Sequence, residues 1–224
     1  RSPLVFFAGG NGLVYAFEPL TGRIPEGEVR PLRKVFEFDP DPDRPRDSVH
    51  RYNGNRREGP SNIYGMPVFH QNRLYVAGGG DLWWGKNEAW LKCIDATATG
   101  TLGTNQVRWS YRLDNHVMST PAIQDGLLFI ADCGRKLHCL DADTGQPLWT
   151  HDIQGEVWAS PLVADGKVYL GTRAGHFYVL AARREKKLLT SRKLSAPITS
   201  TVTAANGTLF IASMDRLWAV ASGA

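Results

Sequence analysis

A repeat of about forty residues is the feature that most constrains the fold of this chain. Asp125-Gly126, Asp165-Gly166 and Asn206-Gly207 lie 40 and 41 residues apart. Asp-Gly and Asn-Gly favour two-residue hairpin turns, because both central residues take positive φ. Each dipeptide therefore predicts a pair of antiparallel strands. Asn72-Arg73 is expected to hold the same place in an earlier repeat, since asparagine tolerates the left-handed region.

Each hairpin runs into a third strand, a turn that usually contains Thr-Gly, and a fourth strand with a large residue near its start. The third strands are expected at 14–18, 91–95, 137–141 and 177–181. The large residues are Phe36, Trp109, Trp149 and, more weakly, Leu189. Four short strands per repeat are typical of a propeller blade. A single such sheet exposes two apolar faces, so the blades must stack on one another.

We therefore predict an all-β propeller segment of about five four-stranded antiparallel blades, with strands A to D running outward from the axis. The expected spans are blade 1 at 4–38, an insertion at 39–60, blade 2 at 63–114, blade 3 at 117–153, blade 4 at 157–194 and blade 5 at 197–221. Blade 1 is expected to have strands B to D only, and blade 5 strands A to C. Either the strands at the two ends complete one another, or flanking blades are missing. The chain starts at Arg1 without a methionine, and we expect it to be a processed or partial form of a longer polypeptide.

Composition argues against several classes of partner. The net charge is +4, and the densest basic cluster, Arg183-Arg184-Glu185-Lys186-Lys187, is short and interrupted by a glutamate. We interpret it as a solvated turn and expect no nucleic-acid partner. The longest apolar runs span about five residues, whereas a membrane helix needs about twenty. The three cysteines, Cys93, Cys133 and Cys139, have no metal-site spacing, and the two in equivalent repeat positions are expected to be small core residues.

The segment Ala131–Trp149, which reads ADCGRKLHCLDADTGQPLW, resembles the tryptophan-docking repeat of PQQ-type quinoproteins and BamB-like outer-membrane assembly factors. Segment 63–220 also resembles the C-terminal part of secreted PQQ-like repeat proteins of planctomycete-type bacteria. Blade 1 departs from the pattern by lacking the tryptophan, and blade 4 by lacking the Thr-Gly. The resemblance implies a propeller of seven or eight blades, with further blades from the same or another chain. It also implies a periplasmic or secreted location.

The expected channel strands, at 63–70, 117–124, 157–164 and 197–204, carry no aspartate or glutamate. A propeller glycosidase needs a pair of carboxylates there. By resemblance, a PQQ alcohol dehydrogenase needs acidic calcium ligands, a catalytic aspartate, a stacking tryptophan and an adjacent cysteine pair. The channel strands instead carry hydroxyl residues, which we expect to allow close packing: Ser119, Thr120, Ser160, Thr199, Ser200 and Thr201. The histidines have no ligand-like spacing and are expected to be surface or strand residues: His70, His116, His138, His151 and His176.

We therefore predict no catalytic, cofactor-binding or metal-binding residue and expect a non-catalytic protein-binding scaffold or assembly subunit outside the cytoplasm. The alternative is a portion of a PQQ- and calcium-dependent dehydrogenase whose catalytic groups lie on other blades.

Binding is expected where two insertions emerge from one face, because B–C and D–A loops share a face in an up-and-down blade. The insertions are the D–A connection 39–60 and the B–C connection 80–88. Tryptophan and arginine dominate interface hot spots, and long loops in compact domains are usually functional. The predicted partner-binding residues are Arg46, Arg51, Arg56, Arg57, Asp81, Trp83, Trp84 and Lys86. The alternative is that 39–60 wraps a neighbouring blade and the tryptophans cover its edge.

Overall fold

The computed structural model describes residues 3–45, 59, 61–80 and 88–221. Strands and one short 3-10 turn, Thr104–Gln106, make up the regular structure of these residues. The strands in chain order are β1 (Val5–Ala8), β2 (Val14–Phe17), β3 (Lys34–Phe38), β4 (Val68–His70), β5 (Arg73–Gly79), β6 (Ala89–Asp95), β7 (Gly100–Leu102), β8 (Val107–Leu113), β9 (Ala122–Gln124), β10 (Leu127–Asp132), β11 (Lys136–Asp141), β12 (Pro147–Asp152), β13 (Leu162–Ala164), β14 (Lys167–Gly171), β15 (His176–Ala181), β16 (Leu188–Lys193), β17 (Thr203–Ala205), β18 (Thr208–Ala212) and β19 (Leu217–Ala221). The all-β class is confirmed.

The strands form five sheets, which we number 1 to 5 along the chain. Their strand orders are β1-β2-β3-β7, β4-β5-β6-β8, β9-β10-β11-β12, β13-β14-β15-β16 and β17-β18-β19. Sheets 2, 3 and 4 are the four-stranded antiparallel sheets that the repeat predicts. Sheet 1 differs from the expected three strands, because β7 leaves the third-to-fourth connection of sheet 2 and pairs in parallel with the outer strand β3.

The hairpin turns follow the predicted dipeptides in three repeats and depart from them in one. Asp125 and Gly126 both have positive φ, at 51° and 74°, and the other Asp-Gly and Asn-Gly pairs match them. The prediction of Asn72-Arg73 is wrong by one residue. The turn is Gln71-Asn72, with φ of 49° and 62°, and Arg73 pairs with His70 at the start of the ladder. Asparagine thus occupies the position that glycine holds elsewhere, where the left-handed region is required.

The inner strands are shorter than expected. The sequence predicted inner strands at 63–70, 117–124, 157–164 and 197–204, whereas β4, β9, β13 and β17 have three residues each. Pro67, Pro121 and Pro161 immediately precede the first three of them. Proline has no backbone N–H to give to a ladder, so hairpin pairing with the second strand begins after it.

The core lies between the sheets, in four clusters that each join two neighbouring sheets. Successive side chains of a strand point to opposite faces. In β15, Tyr178 and Leu180 therefore pack toward sheet 3, and Phe177 and Val179 pack toward sheet 5. Both faces of a central sheet are apolar, so no sheet can bury its surface alone.

Tryptophans on the outer strands fasten two of the junctions. Trp109 of sheet 2 donates its indole N–H to the carbonyl of Ala142 in sheet 3, at 3.2 Å. Trp149 of sheet 3 donates in the same way to the carbonyl of Arg183 in sheet 4, at 3.0 Å. Each therefore reaches forward to the turn that follows the third strand of the next sheet.

The prediction that Leu189 is the corresponding residue of sheet 4 is wrong. Trp109 and Trp149 pair with Cys93 and Cys139, and a β-bulge follows in the third strand of each sheet. The same bulge in sheet 4 pairs Thr190 with Val179, so Thr190 holds the tryptophan position, and Leu189 is exposed.

Candidate functional site: the joined roots of two insertions

The eight predicted partner-binding residues lie outside the described residues, so their role remains a prediction. The described chain does include the residues from which both insertions leave and to which they return. We call the following six residues the insertion root: Asp41, Arg44, Ser61, Glu88, Trp90 and Lys92.

The second-to-third-strand connection of sheet 2 leaves and returns at one point. Gly79 pairs with Ala89 at the end of the β5–β6 ladder, and the Gly80 N–H donates to the carbonyl of Glu88 at 2.8 Å. The ladder thus extends one hydrogen bond beyond the strands, up to both ends of the intervening loop.

The longer connection, 39–60, returns beside the same point. Asn62 and Gly79 exchange two backbone hydrogen bonds, at 2.7 and 3.0 Å. The buried carboxylate of Asp41 accepts the N–H of Ser61 at 2.5 Å. The start and end of this insertion are therefore joined to each other and to the root of the other insertion.

Three side-chain contacts tie the two roots together. Arg44 forms an ion pair with Glu88 at 2.7 Å. Trp90 donates its indole N–H to the Ser61 hydroxyl at 3.1 Å. The Lys92 ammonium donates to the carbonyl of Pro40 and lies 4.6 Å from the centroid of the Trp90 ring.

Close packing around Trp90 depends on a glycine. A Cβ added at Gly78 would lie 2.8 Å from the Trp90 ring, so only glycine lets the indole lie flat against β5. Two depressions open around the root, of about 400 and 580 Å³. Both contact Glu88 and Lys92, and charged and polar side chains form much of their walls.

The root combines charged groups of both signs with an aromatic side chain. It presents carboxylate, guanidinium and ammonium groups beside a buried indole. Exposed ion pairs such as Arg44–Glu88 contribute little to stability, typically less than about 1 kcal/mol. Among residues that the structure describes, no three histidine, cysteine or acidic side chains lie close enough to hold a metal ion.

Hydroxyl residues that immediately precede the inner strands link successive sheets. The N–H of Met66 donates to the Thr120 hydroxyl at 2.9 Å, and the N–H of Thr120 donates to Ser160 at 2.9 Å. The N–H of Ser160 continues the series to Thr201 at 3.0 Å. Three of the hydroxyls expected to permit close packing therefore also satisfy backbone donors of the preceding sheet.

A buried Asp–His–Tyr group joins sheets 2 and 3 and was not singled out from the sequence. Asp132 is fully buried and accepts hydrogen bonds from the backbone N–H groups of Asp114 and Lys136. His138 Nε2 lies 3.2 Å from Asp132, and His138 Nδ1 lies 3.1 Å from the Tyr111 hydroxyl. No local signal distinguishes these residues from surface polar groups, because the burial arises from the facing sheet.

The histidine expectation needs one correction. His116 is neither a surface nor a strand residue, since it is buried in the connection between β8 and β9. Its carbonyl accepts the N–H of Cys133 at 3.0 Å, which explains why it is enclosed. All three cysteines are buried free thiols, and burial raises the pKa of Cys93 to about 11.

Stacked sheets fastened by forward-reaching tryptophans define this molecule as a β-propeller assembled from PQQ-like repeats. A family model described as "Outer membrane protein assembly factor BamB" matches residues 87–205, more than half of the chain. The chain therefore belongs to this BamB family of PQQ-like repeat proteins. A comparison with curated protein sequences gave no match.

Solved structures agree on the fold. BamB from Moraxella catarrhalis matches with a TM-score of 0.62 and 15% identity, over 96% of this chain and 52% of BamB. The computationally designed Ika8 protein matches with a TM-score of 0.63 and 11% identity, over 98% of this chain and 56% of Ika8. The designed Ika4 protein matches with a TM-score of 0.56 and 14% identity, over 71% of this chain and 92% of Ika4. The chain thus spans about half the length of the first two proteins.

No helix among the described residues combines the length and apolar character needed to cross a membrane.

Proposed function

We propose that this protein is a non-catalytic propeller that binds a protein partner outside the cytoplasm, in the periplasm or after secretion, as a subunit of a larger assembly. Membership of a family described as an outer-membrane assembly factor supports this role. The partner binds on the face where the two insertions emerge. Further blades, from the same or another chain, complete the propeller.

The observation that carries the proposal is that the two insertions are joined to each other at the insertion root. Hydrogen bonds and an ion pair join the start of one insertion to the end of the other. Binding by a loop normally costs ordering free energy, and fixed stems reduce that cost. The predicted hot-spot residues Trp83 and Trp84 follow Gly80 by three and four positions in the sequence, and Gly80 is hydrogen-bonded to Glu88.

The experiment compares three forms of the chain, each immobilised and exposed to solubilised cell envelope of the source organism. The test variant is Arg56→Ala, Trp83→Ala and Trp84→Ala combined. The control variant removes one exposed arginine and two exposed apolar side chains from the β2–β3 connection, at the opposite end of the strands: Val29, Arg30 and Leu32. Circular dichroism verifies that all three forms are folded.

Captured proteins are quantified by mass spectrometry. We expect a defined set of envelope proteins to bind the unaltered chain and the control equally, and to fall at least tenfold with the test variant. Equal capture by all three forms would remove the insertion face from consideration.

The dehydrogenase alternative has its own assay. The chain is incubated with PQQ and Ca²⁺, dialysed, and assayed for dye-linked alcohol oxidation. A scaffold is expected to retain no quinone and show no turnover. Stoichiometric quinone retention with alcohol-dependent dye reduction would replace the scaffold by the enzyme.

A further inference from the structure

The junction between sheets 4 and 5 lacks the tryptophan that fastens the two junctions before it. In those junctions, an aromatic residue of the second strand, a cysteine of the third and a tryptophan of the fourth lie side by side. The two sets are Tyr75, Cys93 and Trp109, and Phe129, Cys139 and Trp149. The same register in sheet 4 aligns Tyr169, Val179 and Thr190. Threonine is far smaller than an indole, so the space is left open.

That space is a crevice of about 560 Å³ between the facing surfaces of sheets 4 and 5. Its volume falls within the range of about 300–1,000 Å³ that is typical of ligand pockets. Tyr169, Val179 and Thr190 form one wall, and Leu209 and Val220 belong to the other. Tyr169 and Phe177 both line the crevice, with their ring centroids 6.3 Å apart and their planes 16° apart.

Comparison with the two junctions that contain a tryptophan shows which side chain of sheet 5 is left exposed at this one. Val220 pairs with Leu209 as Leu140 pairs with Leu128 and Leu180 pairs with Val168. Leu140 and Leu180 are 0% exposed and have a fourth strand beside them, whereas Val220 is 52% exposed and no fourth strand of sheet 5 lies among the described residues. An indole at position 190 would cover the side of Val220 that lines the crevice, as Trp109 and Trp149 pack in the clusters that contain Leu140 and Leu180.

The outer strand beside the crevice can accept an extended peptide. Within the described part of the chain, no strand pairs with the outer edge of β16. The chain itself shows this mode of pairing, since β7 adds in parallel to the outer strand of sheet 1. Addition of a strand supplies backbone hydrogen bonds, and side-chain pockets then supply specificity.

The charge at this rim indicates which peptide fits. The turn that leads into β16 carries Arg183, Arg184, Lys186 and Lys187 against Glu185, and Arg184 is paired with Asp141 of sheet 3 at 3.0 Å. The other three cations still outnumber the glutamate. Asp165 is the acidic residue of the crevice, and it is already paired with Lys167 at 2.5 Å. A peptide with acidic residues beside its aromatic side chain therefore matches the local potential.

We propose that the crevice between sheets 4 and 5, with the outer edge of β16, binds an extended acidic segment of a partner protein that inserts a tryptophan side chain. The inserted indole takes the place that Trp109 and Trp149 take at the earlier junctions. This site uses no residue of the insertion root and lies beside the hairpin turns, at the opposite end of the strands.

The probe is the fluorescein-labelled pentapeptide Glu-Thr-Trp-Thr-Glu, capped at its C-terminus, and its twin with alanine in place of tryptophan. Binding is measured by fluorescence anisotropy at low ionic strength. The tryptophan peptide is expected to bind at least tenfold more tightly than its twin. Equal affinity of the two peptides, or binding of free indole without binding of the tryptophan peptide, would overturn the proposal.

Two variants and their controls locate the site. Thr190→Trp fills the crevice from within and is expected to weaken peptide binding at least tenfold. Ser191→Trp, one residue away and paired with Tyr178, which packs toward sheet 3, is expected to leave it unchanged. Val220→Glu places a carboxylate, which repels an acidic peptide, in the apolar crevice and should have a similar effect, whereas Leu217→Glu on the other face of β19 should not.

Peptide affinity that is the same in Thr190→Trp, Val220→Glu and the unaltered chain would place the peptide elsewhere and refute the inference. The combined Arg56, Trp83 and Trp84 variant should bind the peptide normally. A result that refutes peptide binding in this crevice is therefore distinguishable from one that refutes partner binding on the insertion face.

Discussion

The Gly145→Ala substitution tests the tryptophan contact that joins sheets 2 and 3. Gly145 is the glycine of a Thr-Gly turn, with φ of +72°, and the Trp109 ring lies on it. A Cβ at this position would lie 2.4 Å from Trp109 Cδ2. Carbon atoms prefer a separation of about 3.5–4.0 Å, so the ring or the turn must move by about 1 Å.

Two costs combine in this variant. A residue with a Cβ pays about 1–2 kcal/mol in the left-handed region, partly offset by about 0.4–1 kcal/mol from the stiffer unfolded chain. Overpacking against the ring adds about 1–3 kcal/mol. Gly22 isolates the first cost, because it is also the glycine of a Thr-Gly turn, with φ of +83°, and an added Cβ would meet none of the described atoms within 4 Å.

We therefore expect Gly145→Ala to lower the free energy of unfolding by about 1–3 kcal/mol more than Gly22→Ala, which corresponds to roughly 2–12 °C in Tm for a chain of this size. Urea titrations followed by far-ultraviolet circular dichroism measure both variants. The extra penalty should nearly vanish when Trp109 is first replaced by leucine, since the two residues are then uncoupled. Equal penalties for the two glycine variants, or an extra penalty that persists without Trp109, would refute the contact as the cause.

Three further outcomes are expected. Burial raises the pKa of Cys93 to about 11 and of Cys139 to about 12. Ellman's reagent at pH 8 should therefore react far more slowly with the native chain than with the chain unfolded in guanidinium. Fast labelling of the native chain would contradict the burial of these thiols. Burial and the nearby Lys186 charge lower the pKa of His151, so below about pH 6.5 the unfolded chain binds more protons than the folded chain. The urea midpoint should therefore fall when the pH is lowered from 7.5 to 5, and it should fall less in His151→Asn. An equal fall in the two chains would show that His151 is not the cause. Asp132→Asn should lower the free energy of unfolding by about 1–3 kcal/mol, because an amide cannot accept every hydrogen bond that the buried carboxylate accepts. Asp165→Asn, at an exposed turn where Asn-Gly is equally suitable, should leave the free energy of unfolding nearly unchanged. Similar urea midpoints for the two variants would count against the buried network.

The hairpins could be predicted from sequence because their cause is local. Asp-Gly and Asn-Gly dictate positive φ at two successive residues, whatever the rest of the chain does. The same reasoning misplaced the turn at Asn72 because Gln71-Asn72 contains no glycine to mark its second position. The error over Leu189 has a similar cause, since sheet 4 lacks the Thr-Gly that marks the register in other repeats and a bulge decides the pairing.

The features that could not be predicted from the sequence depend on contacts between distant parts of the chain. Nothing in the sequence Gly100–Leu102 indicates that it pairs in parallel with β3, because the partner is 64 residues away and lies in another sheet. The connectivity of the sheets did predict that the insertions emerge together, and the described roots lie in contact. The identity of the contacts, such as Asp41 with Ser61, could not be read from composition.

The junctions between sheets are fastened unequally, and this inequality bears on function. Between sheets 1 and 2, β7 adds a strand across the boundary and the insertion root adds hydrogen bonds and an ion pair. Tryptophans serve at the next two junctions, and the junction of sheets 4 and 5 has neither device. A loop that binds a partner needs a fixed base, whereas a crevice that admits a side chain needs an unfilled junction. The two proposed sites therefore lie at the most and the least fastened junctions, for opposite physical reasons.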